Sequence, residues 1–379
     1  MSAKAQSHRR FDPMWQPLAL GSLPHTEVTR AWRVLLRHFA TLPGWPQLPH
    51  RSPGENIYAQ FGERFPGLAL SERGLRVRRS ELDRGLAELY LAYLEGNLEY
   101  GLIEAGRSAG LALLRRGEVA LPPETRLLRG QVTGPVSFGL TTLDENQRPI
   151  LYDEVLSDAV GKHLRLKAAW QEAELRRHAP QTLIMVEEPY MASFGSSTMA
   201  LGRAQVMDLL EEILGGLAGL AGIHCCGNTD WSIPLNTSAH VLSLDAYDYG
   251  HTLARYSEDL GRFLQRGGII AWGIVPASVM AESETVDSLA ARLERHLEQL
   301  VQAGIPREAV VASGLVSPSC GLAALTPALA ERICELTVEV AAEMQRRYVA
   351  APAAAAVVEA DAEQESTANA SPGGADSEP

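Results

Sequence analysis

The chain has 379 residues, 46% of them apolar and 21% charged, with a formal net charge of -12. This is the composition of a globular protein with a sizeable core, long enough for one large barrel or two ordinary domains. It excludes a basic nucleic-acid-binding face, and no apolar run reaches the length of a membrane span. Six acids (Glu359, Asp361, Glu363, Glu365, Asp376 and Glu378) lie in the last stretch, so the remainder is only mildly acidic.

Residues 1–13 are polar and are expected to be flexible. Their basic MSAKAQSHRR is followed by no apolar segment of the kind a signal peptide needs, so a cytoplasmic protein is expected. From there, short apolar runs alternate with longer helical patterns. The runs read as strands are LALGSLP, IYAQF, LLRGQVTGP, TLIMVEEP, GIHCCGN, HVLSLDAY, IIAWGIVP and VVASGLVSPSC. Several are continuously apolar, as strands buried on both faces should be. Residues 80–116 read as two helices, and further helical patterns cover 153–178, 202–217, 252–265, 288–303 and 326–348. Residues 42–78, rich in Pro and Gly (PGWPQLPHRSPGEN), read as a long loop, with IYAQF the second strand. Eight strand candidates with helical crossovers predict a single-domain α/β fold, a (β/α)8 TIM barrel over residues 14–350. An open doubly wound sheet is the alternative. Residues 351–379, rich in Ala, Glu, Ser and Gly, predict a disordered acidic tail.

Polar residues gather at the predicted strand ends: Ser22 after the first, Gly134-Pro135 after the third, Glu187-Glu188-Pro189 after the fourth. His224 to Cys226 close the fifth, Asp245 the sixth and Cys320 the eighth. Barrel enzymes carry their chemistry at that rim. His224 and Cys226 are two residues apart, and on a strand i and i+2 point to the same side. Both can then reach one ion while Cys225 points away. Cys225 replaces Cys226 as ligand if the strand is irregular there. Cys320 in SPSCGL joins them from a remote strand. One His and two Cys match zinc, whose catalytic sites keep three protein ligands and an open position; magnesium would demand carboxylates. Cys334, on the apolar stripe of a helix, reads as core.

GIHCCGNTDW, LSLDAY and PSCGL resemble the zinc-binding segments in the catalytic barrel of cobalamin-independent methionine synthase. LGSLPHT, VTGP and VEEPY resemble further segments of that barrel, and the likeness runs from about Leu18 to Tyr348. The barrel belongs to a superfamily shared with uroporphyrinogen decarboxylase and the methylcobamide:coenzyme M methyltransferases. The resemblance implies that His224, Cys226 and Cys320 hold zinc, and that Asp245 falls where the family has a glutamate ligand. Asp245 then either coordinates the metal or steadies His224; as an ordinary strand-end Asp it would instead hydrogen-bond backbone. It further implies that Ser22 binds the carboxylate of homocysteine and Glu187 its amino group, unless Glu187 is an ordinary salt-bridge partner.

Two departures bear on the donor. The large methionine synthases carry a second, N-terminal barrel for which this chain has no room. Their seventh strand carries a histidine where this chain has Ile274, Val275 and Pro276. Together these imply a short, folate-independent core that takes its methyl group from a methylcorrinoid or corrinoid protein. The rival readings are methyl transfer to another thiol such as coenzyme M, and a non-catalytic corrinoid- or zinc-binding partner protein. Asn228 and Asp230 read as groups that orient ligands or substrate, with Thr229 or Asp230 alternatively a helix N-cap, and Tyr190, Trp231 and Trp272 as packing or donor-side residues.

Overall fold

The computed structural model describes residues 11–71, 74–196 and 199–350; the predicted tail, 351–379, and residues 1–10 lie outside the described residues. Its centre is a curled, six-stranded, all-parallel sheet in the order β3-β4-β5-β6-β7-β8. The strands are β3 (Leu127–Thr133), β4 (Gln181–Glu187), β5 (Leu220–Cys225), β6 (Val241–Asp245), β7 (Ile269–Val275) and β8 (Gly314–Pro318). A separate antiparallel hairpin, β1 (Leu68–Ser71) and β2 (Gly74–Val77), lies ahead of them in the chain. Five of the predicted helical segments carry the helices Glu154–Leu175, Arg203–Leu214, Ser257–Gln265, Val286–Gln302 and Pro327–Gln345, and residues 80–116 carry Leu82–Glu95 and Ala109–Arg115. No helix among the described residues is long and apolar enough to cross a membrane.

Two expectations are corrected. IYAQF is not a strand but the short helix Ile57–Phe61, whose first turn is capped by the Asn56 side chain accepting from Tyr58 N at 3.1 Å. Five apolar-biased residues carry too little periodicity to separate the two states, and the Asn cap decides. The sheet, moreover, has six regular strands where eight were predicted. LALGSLP, with Pro17 just before it, forms no regular ladder but only isolated parallel bridges, Pro17 to Val316 of β8 and Ser22 to Gln47. Residues 43–47, expected as loop, bridge onto β3 through Gly44 and Arg129. The chain thus runs from β8 (Leu18 N to Val316 O, 2.8 Å) through residues 17–23 and 43–47 (Gln47 N to Gly21 O, 2.8 Å) to β3 (Arg129 N to Pro43 O, 2.9 Å). Proline explains the interruption. Pro17, Pro24, Pro43 and Pro46 have no N–H to give a ladder.

The side chains sort by strand period. One set, Leu127, Leu183, Met185, Leu220, Val241, Ile269, Ala271 and Leu315, forms a compact inner cluster with Phe11, Leu18 and Leu42. The alternate set, including Leu128, Val132, Ile184, Val186, Ile223 and Leu242, joins the larger core that holds the helices. Such double burial is what made these strands read as unbroken apolar runs. Beyond the apolar inner layer, toward the carboxyl ends of the strands, the inward side chains turn polar, and the site lies there.

Candidate metal centre and pocket

The strand register sets the site. Thr133 pairs with Glu187, Glu187 with His224 and His224 with Ser243, so four polar side chains form one row across β3, β4, β5 and β6. Two residues past His224 comes Cys226, and beyond β8 comes Cys320. The ligand atoms of His224, Cys226 and Cys320 all lie within 4.8 Å of one another. A tetrahedral zinc with bonds of roughly 2.0–2.3 Å holds its ligands about 3.5–3.8 Å apart, so a contraction of about 1 Å closes the set on one ion.

The donor atoms are prepared for it. His224 is buried, and its Nδ1 lies 2.8 Å from Ser243 Oγ. The Nε2 on the other side has no hydrogen-bond partner. A buried polar atom left without a partner costs free energy, and a soft cation between the sulfurs would satisfy it. With Nδ1–H donated to Ser243, the Nε2 lone pair is free to ligate. Burial opposes the charged imidazole, but the Glu187 carboxylate and the Cys320 sulfur outweigh it and lift the His224 pKa above its ordinary value. The two sulfurs are coupled. Hydrogen bonding from Cys320 holds Cys226 low, and the same contact together with burial pushes Cys320 up.

The neighbouring cysteines are structural. Cys225 is fully buried on the opposite side of the chain, donates to Gly227 O at 3.4 Å, and is pushed up to about 12 by burial. Cys334 lies in the core of helix Pro327–Gln345 and is likewise pushed up to about 12 by burial. Asp245 ends β6. It is not in the ligand cluster; its Oδ1 accepts from Asp248 N at 3.0 Å and caps the turn Ala246–Tyr249. Burial pushes it up to about 6 against the pull of His224.

A pocket of about 270 Å³ opens onto the three donors and is also lined by Ser22, Gln47, Tyr58, Gln131, Thr133 and Glu187. Ser22 stands directly against the turn that follows Cys320: a Cβ on Gly321 would fall 2.1 Å from Ser22 Oγ. Leu322 N donates to Ser22 O at 2.9 Å. Glu187 forms an ion pair at 2.5 Å with Arg129, which is fully buried beneath the pocket. Glu188 faces the other way. It is fully buried and accepts from Val136 N (2.9 Å), Ser137 N (2.9 Å) and Ser137 Oγ (2.6 Å) at the start of helix Pro135–Thr141. Burial nevertheless pushes it up to about 7. Gly134 makes room for it, since a Cβ there would lie 2.1 Å from Glu188 Cδ.

Trp231 and Trp272 are buried, Trp231 donating to Thr252 Oγ1 at 2.8 Å, and Tyr190 is exposed. Thr229 donates to Met191 O, and Asp230 accepts from Ser232 N at 3.0 Å. Sequence reasoning singled out neither Ser243, Gln131, Thr133 nor Arg129. Each is an unremarkable residue inside a strand, and only period-2 alternation along LLRGQVT, which turns 129, 131 and 133 the same way, gave any signal.

No family model and no curated protein matches the chain. Solved structures do. A B12-independent methionine synthase from Shewanella sp. W3-18-1, in complex with selenomethionine, shares 17% identity over 63% of this chain and 67% of its own, with a TM-score of 0.45. The putative vitamin-B12 independent methionine synthase of Listeria monocytogenes shares 10% identity over 85% of this chain and 86% of its own, with a TM-score of 0.51. At that identity the likeness to the Listeria structure is one of fold, and it spans most of both chains.

Proposed function

We propose that this chain is a zinc-dependent S-methyltransferase that activates homocysteine as a thiolate and methylates it to methionine, with a methylcorrinoid rather than a folate as donor. The observation that carries this reading is the convergence of His224, Cys226 and Cys320 at one pocket, with a buried imidazole nitrogen lacking any other partner. The fold shared with a putative methionine synthase supports it. On this reading residues 17–23 and 43–47 take the places of the first two staves of a (β/α)8 barrel, and the protein works in the cytoplasm.

The chain's residues divide the work. His224, Cys226 and Cys320 hold the zinc, with Asp245 beside them as a further ligand or as a steadying group. When bound, zinc would keep an incoming thiol deprotonated at neutral pH, where a free thiol with a pKa near ~8.5 stays mostly protonated. Ser243 holds the direction of the His224 ring. Ser22 offers a donor to the substrate carboxylate, and the Glu187 carboxylate accepts from its amino group. Arg129 holds Glu187 in place and offsets its charge. So fixed, the substrate sulfur would stand in line for attack on the donor's methyl carbon, the donor leaving with the electron pair of the bond that breaks. Proximity and orientation supply much of the rate. The absence of a histidine at Ile274, Val275 and Pro276 on and after β7 favours a donor that needs no proton on departure.

Zinc quantification on the purified protein, with transfer from methylcobalamin to homocysteine, tests the proposal. One equivalent of zinc and methionine formation are expected. Methylation of coenzyme M but not of homocysteine would replace the substrate. Zinc binding with no transfer to either thiol would favour a non-catalytic role.

A further inference from the structure

The pocket holds buried donors that no role described so far uses. Arg129, Gln131 and Thr133 project from the same face of β3. Gln131 is 1% exposed and Thr133 0%. Arg129 Nη1 donates to Gln131 Oε1 at 3.0 Å. A guanidinium can only donate, so this contact fixes the amide: its oxygen faces Arg129 and its NH2 group faces elsewhere. That Nε2 has no hydrogen-bond partner, and neither has Thr133 Oγ1. Both residues line the pocket. The amide also lies against the backbone that leads into Ser22, where a Cβ on Gly21 would fall 2.4 Å from Gln131 Oε1. An amide NH2 buried beside a pocket, with its direction fixed from behind, is a group waiting for an acceptor.

We propose that Gln131, oriented by Arg129, is a specificity-determining residue that donates from Nε2 to the α-carboxylate of the thiol substrate, with Thr133 and Ser22 beside it. This rests on the methyltransferase reading for the nature of the substrate. The charge pattern suits a zwitterion: donors at Gln131 and Ser22, and an acceptor at Glu187 whose Oε1 alone is tied to Arg129. Length fits as well. Strands β3 and β5 are separated by two interstrand steps, roughly 10 Å, and inward side chains from both shorten that span. A ligand joining the sulfur end at His224 to Gln131 is therefore a short one, of a few carbons.

Gln131→Glu tests this with little damage to the fold. It keeps an oxygen acceptor for Arg129 but replaces the donor to the substrate by a carboxylate. The zinc-loaded wild type and variant are compared for KM and kcat with L-homocysteine and with 3-aminopropane-1-thiol, which lacks the carboxylate. The KM for L-homocysteine is expected to rise about tenfold or more, since a hydrogen bond to a charged group is lost. The KM for the aminothiol should stay within about twofold and kcat should change little. Thr133→Val should shift KM in the same substrate-selective way by a smaller factor. Calorimetric binding of both thiols gives the same comparison without turnover. If the wild type transfers no methyl group, the methyltransferase reading fails while a selective loss of L-homocysteine affinity still supports the carboxylate site. Equal effects on both thiols, or none on either, would overturn the role of Gln131.

Discussion

Replacing Ser243 by Ala removes one oxygen from the centre of β6 and should be felt at the metal. Ser243 is fully buried and His224 is 3% exposed. Their 2.8 Å contact is the hydrogen bond recorded for the ring, so Nδ1 would lose its partner away from water. An orphaned buried donor costs about 1–3 kcal/mol, which should appear as lower stability of the zinc-free protein. The ring, no longer held from behind, would also present Nε2 less well. Losing such a support behind a ligating histidine typically weakens metal binding about 10–100-fold, or about 1.4–2.7 kcal/mol. Competition against a chromophoric chelator measures the zinc affinity, and thermal melts in chelator measure the stability. Ser317→Ala is the control, because Ser317 Oγ on β8 is buried with no partner and should matter little to zinc. A Ser243→Ala protein that folds and binds zinc within about twofold of the wild type would refute the argument that this contact prepares the imidazole.

Cys320→Ala should abolish zinc retention and methyl transfer while leaving the fold intact, because Cys320 is only partly buried and lies in a turn beyond β8; metal analysis after dialysis reads it, and a full zinc complement would remove Cys320 from the ligand set. Gly134→Ala should destabilise the protein by roughly 1–3 kcal/mol, since the new methyl group would meet a Glu188 carboxyl tied down at both oxygens; urea unfolding measures it. Glu188 should also give a pH signature. Burial raises its folded-state pKa to about 7, above the ordinary glutamate value of 4.5, so its contribution is full below pH ~4.5 and is lost as pH rises through 7, a span worth about 3 kcal/mol. The stability of the wild type relative to Glu188→Gln should fall by that order between pH 5 and pH 8; a difference that stays flat would show that Glu188 remains ionised throughout.

How far the sequence carried this protein depends on the kind of information needed. Period-2 geometry within GIHCCGN was enough to set His224 and Cys226 on one side and Cys225 on the other, because that relation is local to three residues. The doubly buried strands β3 to β8 were legible for the same reason. Two things were not. LALGSLP reads as a strand, but nothing within it shows that it meets its neighbours only through isolated bridges. Residues 43–47, which read as loop, bridge to Arg129 of β3 far along the chain; Pro43 and Pro46 erase the local signature of a strand there. Ser243, Gln131, Thr133 and Arg129 acquire meaning only from register: which strand lies beside which, and at what height. A serine or a glutamine inside an apolar run looks the same wherever it points. Only the side-by-side packing of the strands decides that one meets a histidine and another a buried guanidinium, since those contacts join side chains that no local rule of the chain connects.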